Sequence, residues 1–260
     1  MPIEIGISTT VGGIAGNTPG ETPAFSNVNS FIFGGVDEYF LVPDTSGLSF
    51  GNSTSDSPFS ISTWVKMTDA TRFRVVGKLN GSNAEYAFFT SAADQLYIVL
   101  YDNNTSNRIS RYTSSTLTSY EGTWIHLAAT YNGSGNSSGL KIYLNNTRID
   151  NTTSDVGAYT AMHNTSAPFE IGKYLTSRAN GLIDEMAIFT TELSSSDVSA
   201  IYNNGEPQSL DTYSPFVWFR MGENATWNGA TWTMTSVGTD TRIARSVFMV
   251  EANRSTDVPT

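Results

Sequence analysis

Apolar and polar residues alternate along most of this chain with the two-residue period of strands that bury one face. The clearest case runs from Gly122 to Asn146, where Ile125, Leu127 and Ala129 are followed, after a polar turn, by Leu140, Ile142 and Leu144. The same period recurs at Phe73, Val75 and Gly77 and at Leu96, Ile98 and Leu100, with Gly, Asn, Ser and Thr turns between the runs. Only Ser194 to Asn204 reads as a helix, with serines to cap its start, Asp197 in its first turn and Gly205 to take the left-handed conformation after it. The pattern predicts an all-β, two-sheet antiparallel sandwich carrying one short helix.

Glycine and proline divide the chain into three regions. Residues 1–24, with Gly12, Gly13, Gly16, Pro19, Gly20 and Pro23, have the composition of an N-terminal arm. Its Ile3, Ile5, Ile7 and Val11 share one strand parity, which suits an edge strand added to a neighbouring sheet, and Ile14 adds a further apolar contact. Residues 25–205 form the sandwich. Residues 206–260 are expected to be a C-terminal extension that packs on the sandwich or on a neighbouring subunit, with a strand at Phe216–Met221.

Four segments, in order, carry a resemblance to a known family. Phe31-Ile32-Phe33-Gly34-Gly35-Val36-Asp37-Glu38-Tyr39-Phe40 is similar to its opening strand and Phe59–Lys66 to its second strand. Gly122-Thr123-Trp124-Ile125-His126 leading to Ala129-Thr130-Tyr131 is similar to its signature hairpin, and Ile171–Lys173 with Gly181–Phe189 to its closing pair. Together they resemble laminin G-like domains of the concanavalin A-like lectin/glucanase group, whose fold is a jelly roll. The resemblance implies that the opening and closing strands pair, and Trp64 and Trp124 are expected in the core. The tail strings Tyr213-Ser214-Pro215, Trp218–Gly222 and Asp257-Val258-Pro259 resemble extensions of laminin G-like virion proteins of marine bacteriophages.

Composition narrows the setting. The chain has no cysteine, which removes disulfides and thiolate metal sites. A net charge of −10 opposes nucleic-acid binding, and no run is apolar enough to insert in a membrane. The opening Met-Pro-Ile-Glu-Ile-Gly lacks the basic and apolar regions of a secretory signal, so the expectation is synthesis in a cytosol or a signal already removed. The Asn-x-Ser/Thr sequons, such as Asn52 and Asn164, are what an Asn-, Ser- and Thr-rich chain produces by chance.

Enzymatic chemistry finds little support. Retaining glucanases need two carboxylates about 5 to 5.5 Å apart, and the Glu-x-Asp-x-x-Glu strand motif that supplies them on this fold is absent. Asp184 and Glu185 are adjacent, so on a regular strand they point to opposite faces. His126 reads as a half-buried packing or hydrogen-bonding residue, His163 as a loop residue, and no Gly-x-Ser-x-Gly elbow supports a serine nucleophile. The chain is expected not to be an enzyme.

Asp184 shares parity with Leu182, Met186 and Ile188, which would aim its carboxylate at the apolar face. Backbone N–H groups, an Arg or Lys, or a hard cation with oxygen ligands could relieve the cost of burying it. The family resemblance implies a structural calcium held by Asp184 with Asp37 and backbone oxygens of Gly34 or Gly35. Glycan binding calls for aromatic faces beside polar hydrogen-bonders, and the candidates are Tyr101 with Asp102 and Asn103, Tyr112, Tyr159, Tyr174, Trp227 and Trp232. The leading expectation is a non-enzymatic virion structural or decoration protein. Its laminin G-like domain would face outward, toward cell-surface glycans, and its arms would contact other virion proteins or copies of itself. The alternative is a bacterial surface or secreted carbohydrate-binding module, and a glycoside hydrolase ranks third.

Overall fold

The computed structural model describes residues 25–81, 83–102 and 106–260. The expected arm over residues 1–24, with its five aliphatic side chains, and Asn103 lie outside the described residues. Within them the chain is an all-β jelly-roll sandwich of two antiparallel sheets, one of eight strands and one of ten, with a separate two-stranded hairpin.

The first sheet runs in the order Thr147–Arg148, Leu140–Leu144, Trp124–Tyr131, Phe59–Met67, Asn180–Phe189, Ser30–Gly34 and Arg254–Ser255. Its central strand, Asn180–Phe189, pairs along one edge with Phe59–Met67. The other edge is shared: Ser30–Gly34 takes the first half, with Phe31 opposite Ile183, and Val217–Phe219 takes the second, with Phe219 opposite Met186. The second sheet runs Thr152–Thr153, Arg108–Tyr112, Leu96–Tyr101, Asn83–Thr90, Arg74–Asn80, Phe169–Ile171, Tyr39–Val42, Ile243–Val247, Trp232–Thr235 and Ala225–Trp227. Strands from beyond residue 205 thus extend both sheets.

Between the sheets lies a core built from the inward parity of each strand, including Leu96, Ile98 and Leu100 from one side and Ile125, Leu127 and Ala129 from the other. Phe31 is fully buried there, edge-on to Phe40 at 4.8 Å and to Trp232 at 5.3 Å. Each such side chain contributes roughly 1.5–3 kcal/mol by leaving water. A second cluster covers the outer face of the eight-stranded sheet, where Val198 and Ile201 of the helix Ser195–Tyr202 pack on Ala187, Phe189 and Trp218.

Three expectations need correction. The opening segment Phe31–Phe40 is two strands: Gly35 turns at φ +78°, and Tyr39–Val42 joins the opposite sheet. The left-handed residue that ends the helix is Asn203 at φ +47°, two positions before Gly205. Trp64 is buried as expected, 4% exposed, in the layer between the sheet and the helix, where it stacks on Tyr202 at 5.8 Å. Trp124 is only half-buried, and its indole N–H donates to Asp257 Oδ1 at 2.7 Å, fastening the C-terminal segment to the sheet together with the Lys66–Asp257 ion pair.

Candidate functional site

Strand register on the ten-stranded sheet builds an aromatic row on its outer face. Leu96, Ile98 and Leu100 point into the core, so Tyr97, Val99 and Tyr101 point out. Phe89 stands opposite Tyr97, and Tyr97 opposite Tyr112, in adjacent strands. Their rings stack at 5.8 Å and 4.4 Å, and Tyr174 continues the row against Phe89 at 4.6 Å. Beside this row the register places small residues, Ala87, Val99 and Ser110, in line across three strands. Tyr101 lies beyond them with Arg108 opposite it.

Tyr174 reaches the sheet from the hairpin Lys173–Tyr174 and Ser177–Arg178, whose turn holds Leu175 at φ +54°. Gly77 is what lets the hairpin lie this close, because a Cβ there would stand 3.0 Å from the Lys173 carbonyl oxygen. The Tyr174 hydroxyl meets that of Tyr101 at 2.5 Å. The result is an open cleft of about 420 Å³ lined by Phe89, Tyr97, Val99, Tyr101, Arg108, Ser110, Ser154, Tyr174 and Leu175. Burial pushes the Tyr101 and Tyr97 hydroxyls above their ordinary range, so both keep their protons at neutral pH. Beside the rings, opposite Phe89 in the neighbouring strand, lies Arg74, 5% exposed, with its guanidinium 5.0 Å from the Phe89 centroid and 5.1 Å from that of Tyr174.

Of the sequence candidates for sugar contact, the structure brings Tyr101 and Tyr174 together in this cleft, with Tyr112 at the end of the row. Asp102 turns away to His163, Oδ1 to Nε2 at 3.1 Å, and Tyr159 donates to Asp56 at 2.6 Å. Trp227 and Trp232 lie at the opposite edge of the same sheet, 5.5 Å apart, beside a separate surface hollow with Glu251 and Arg254. Trp232 belongs to the core, 4% exposed. Phe89, Tyr97, Arg108 and Arg74 were not singled out from the sequence. Their signal was the second parity of the Leu96–Tyr101 strand, which is apolar as well.

The acids of the closing strand form a separate knot. Between the pairs Asp184–Trp64 and Ala187–Ser62, the two residues Glu185 and Met186 oppose the single Thr63, a β-bulge in which Glu185 takes φ +48°. The bulge shifts parity, so Asp184 lies on the outer face with Ala187 and Phe189, and not with Met186 and Ile188 in the core. It also brings Asp184 and Glu185 together, within 4.8 Å of each other and of Glu223, where a regular strand would part them. The bulge sits where the strand changes partners, and there the segment before Ser30 and the turn after Phe219 converge. Asn27 Nδ2 donates to Asp184 at 2.9 Å, the Trp218 indole to Glu185 at 2.5 Å and Arg220 Nε to Glu185 at 3.2 Å. Glu223 Oε1 accepts from the Val28 and Asn29 amides. Burial first, then mutual repulsion, pushes the Asp184 carboxyl well up, and burial pushes that of Glu185 up to about 7.

Calcium, which the family resemblance implies, finds suitable donors here but not in the full set expected. Asn27 Oδ1 and Glu223 Oε2 are buried without hydrogen-bond partners beside three carboxylates and one guanidinium. Such all-oxygen donors fit a hard cation. The register sets Gly34 opposite Asn180, four residues before Asp184 and so about 13 Å along the strand. Gly35 turns onto Asn180, and Asp37 offers its carbonyl to Arg178 at 3.3 Å. Asp37, Gly34 and Gly35 therefore do not join Asp184.

Among the described residues the space beside Glu185 and His126's partner Ser62 is small. His126 is fully buried under the helix, its Nε2 2.8 Å from Ser62 Oγ, and burial pushes its pKa down to about 3. The void beside Ser62, Trp64 and Glu185 measures about 10 Å³, room for at most one water.

A family model described as the concanavalin A-like lectin/glucanases superfamily matches residues 33–199. Among solved structures, a candidate carbohydrate-binding protein from Bacteroides ovatus is similar at a TM-score of 0.60 and 15% identity, over 90% of this chain and 62% of that one. The chain thus spans about three fifths of that protein's length. Domain 4 of an extracellular arabinanase from Geobacillus stearothermophilus, solved with arabinotriose, is similar at 0.45 and 20% identity, over 62% of this chain and 71% of that one. No curated protein matches the sequence. At these identities the likeness is one of fold.

Proposed function

The chain belongs to the concanavalin A-like lectin/glucanases superfamily, and from that premise we propose that it is a non-enzymatic carbohydrate-binding module acting at a cell surface or outside the cell. The observation that carries the reading is the cleft on the ten-stranded sheet. Its row of mutually stacked rings offers an apolar wall of ring edges to the C–H side of a pyranose, while tyrosine and serine hydroxyls offer partners to sugar hydroxyls. The rings are held by one another before any ligand arrives, so little side-chain freedom remains to be lost on binding.

Hydrolysis is disfavoured on geometry. The adjacent carboxylates Asp184 and Glu185 are buried beneath the helix-covered face, and the cleft lining contains no acid. Asp184, Glu185, Glu223 and Asn27 would hold a calcium ion, which would supply charge balance to a structural knot joining three segments of chain. This reading takes the carbohydrate-binding module over the virion decoration protein because the strands of 217–255, a segment expected to pack on the sandwich or on a neighbour, pair within their own sandwich. The test is affinity electrophoresis through gels containing plant, algal and bacterial polysaccharides, with reducing ends assayed in parallel. Retardation by at least one polymer, lost in Tyr97→Ala and without product release, is expected; turnover, or retardation indifferent to Tyr97, overturns the proposal.

A further inference from the structure

Three charged side chains meet beside the core, away from both the cleft and the acidic knot. Lys78 lies on the strand Arg74–Asn80, with Phe169 opposite it on one side and Tyr86 on the other, both fully buried. Its side chain is 0% exposed, as is that of Glu85 on the strand Asn83–Thr90. Asp44 follows the strand Tyr39–Val42 and is 33% exposed. Lys78 Nζ stands 2.7 Å from Asp44 Oδ1 and 2.9 Å from Glu85 Oε1, and it donates to the Ala167 carbonyl at 2.8 Å. Glu85 Oε1 also accepts from the Thr165 amide at 2.9 Å and the Thr165 hydroxyl at 2.7 Å, while Glu85 Oε2 is buried without a hydrogen-bond partner.

An ion pair shut away from water loses its hydration, so apolar side chains would hold these segments together at lower free energy. The group is better suited to a condensation. The fold holds a primary amine against a carboxyl group, which replaces a bimolecular encounter by a fixed one. A second carboxylate, within hydrogen-bond reach of the same nitrogen, can take up protons and return them. Lys78 and Glu85 are closed to solvent, which opposes hydrolysis of the product, and the 33% exposure of Asp44 leaves a way out for a released water.

We propose that Lys78 and Asp44 form an intramolecular amide cross-link, with Glu85 as the proton relay. Glu85 takes a proton from the ammonium, and the freed lone pair on Nζ attacks Asp44 Cγ to form the C–N bond. Glu85 hands that proton to one Asp44 oxygen, takes a second from the bonded nitrogen and passes it to the same oxygen. The C–O bond then breaks and water leaves. One ammonium and one carboxylate become one neutral amide and one water, nothing is oxidised or reduced, and Glu85 ends as it began. The bond joins residues 34 apart and spans the strand Phe169–Ile171, which lies between the two strands it ties. It gives a chain without cysteine a covalent staple, whatever the cleft binds.

Mass spectrometry of the full chain tests this, after incubation of the folded protein for several days at neutral pH and then complete denaturation. The expected mass is one water below that of the sequence. A tryptic digest should show no cleavage after Lys78 and should yield one branched peptide that contains both Asp44 and Lys78. Lys78→Met and Asp44→Ala should each keep the full sequence mass. Glu85→Gln retains the shape of the side chain but cannot take up the proton, so it should show the native near-ultraviolet circular dichroism and stay at full mass over the same time. The full sequence mass in the native chain, with its folded spectrum intact, overturns the proposal. A deficit of one water that persists in Lys78→Met places the lost water elsewhere and overturns it as well, and a deficit that forms at the native rate in Glu85→Gln overturns the relay.

Discussion

The hydroxyls of Tyr101 and Tyr174 meet at 2.5 Å although 73 residues separate them in the chain. The contact ties the 173–178 hairpin to the sheet and fixes one wall of the cleft. Tyr174→Phe removes the tie but keeps the ring, so affinity for a bound glycan should fall by a few-fold and the melting temperature by little. Tyr97→Ala removes the central ring that holds Phe89 and Tyr112 in the row and should cost about five- to tenfold in affinity, the equivalent of one lost apolar ring contact. Titration calorimetry of both variants checks the order. A larger loss for Tyr174→Phe than for Tyr97→Ala would mean that the hairpin, not the stacked row, makes the main contact.

Asp257 accepts from the Trp124 indole and from Lys66, both at 2.7 Å, at an exposed site. Such pairs stabilise by at most about 1 kcal/mol. Asp257→Ala should therefore barely move the global melting point, yet free the segment after residue 253. Hydrogen exchange at the amides of 254–260 should quicken while exchange in Trp124–Tyr131 stays slow. Unchanged exchange in the tail would show that the strand Arg254–Ser255 holds it unaided.

Gly181 sits inside the central strand at φ +143°, and a Cβ there would overlap the Lys66 carbonyl oxygen on the neighbouring strand. Gly181→Ala combines a disfavoured backbone with a steric clash and should destabilise by roughly 2–4 kcal/mol in urea denaturation. A cost under half a kcal/mol would mean that the two strands can separate freely at this point.

How far the sequence could be read follows from which features are local. Alternation at Ile125, Leu127 and Ala129 depends on one strand and one buried face, and it carried the fold correctly. The bulge at Glu185 does not announce itself, because no glycine marks it and the φ of +48° is imposed by the change of partner from Ser30–Gly34 to Val217–Phe219. Two readings failed with it: the parity of Asp184, and the separation of the two acids. Trp124 misled for a related reason, since its partner Asp257 lies 133 residues away. Tyr101 and Tyr174 were legible as candidates. The stacked row beside them was not, because it exists only once register sets Phe89 beside Tyr97.

Glu185 and His126 act in opposite directions as pH falls. Burial holds Glu185 up at about 7 against an ordinary 4.5, so between those values the folded chain keeps a proton that the unfolded chain releases. Its contribution to stability therefore grows as pH falls through that window. Asp184, also pushed up, acts with the same sign. Burial holds His126 down at about 3 against an ordinary 6.5, so the unfolded chain gains a proton that the folded chain refuses, and stability falls as pH drops. From pH 6.5 to 4.5 the two effects offset. Glu185→Gln should make stability fall on acidification across this range, and His126→Gln should make it rise. Urea titrations of the three proteins at four pH values check the signs, and parallel profiles would refute the assignment.

The acidic knot carries the same logic to calcium. Among the described residues Arg220 is the one cation paired with the three acids, and Glu223 Oε2 and Asn27 Oδ1 are buried without hydrogen-bond partners. Calcium would bind the folded chain at these oxygens and the unfolded chain hardly at all, so it should stabilise by mass action. At a hundredfold excess over its dissociation constant the melting temperature should rise by roughly 5–10 °C relative to EDTA. Protons compete for the same oxygens, so the rise should shrink at pH 5. Glu223→Gln removes a ligand charge without touching the core and should abolish most of the effect at pH 7.5. The same melting temperature in calcium and in EDTA at pH 7.5 would mean that the knot is held by a shared proton on Asp184 and by Arg220 on Glu185, and that the unpaired oxygens are the cost of bringing Asn27 and Glu223 to the bulge.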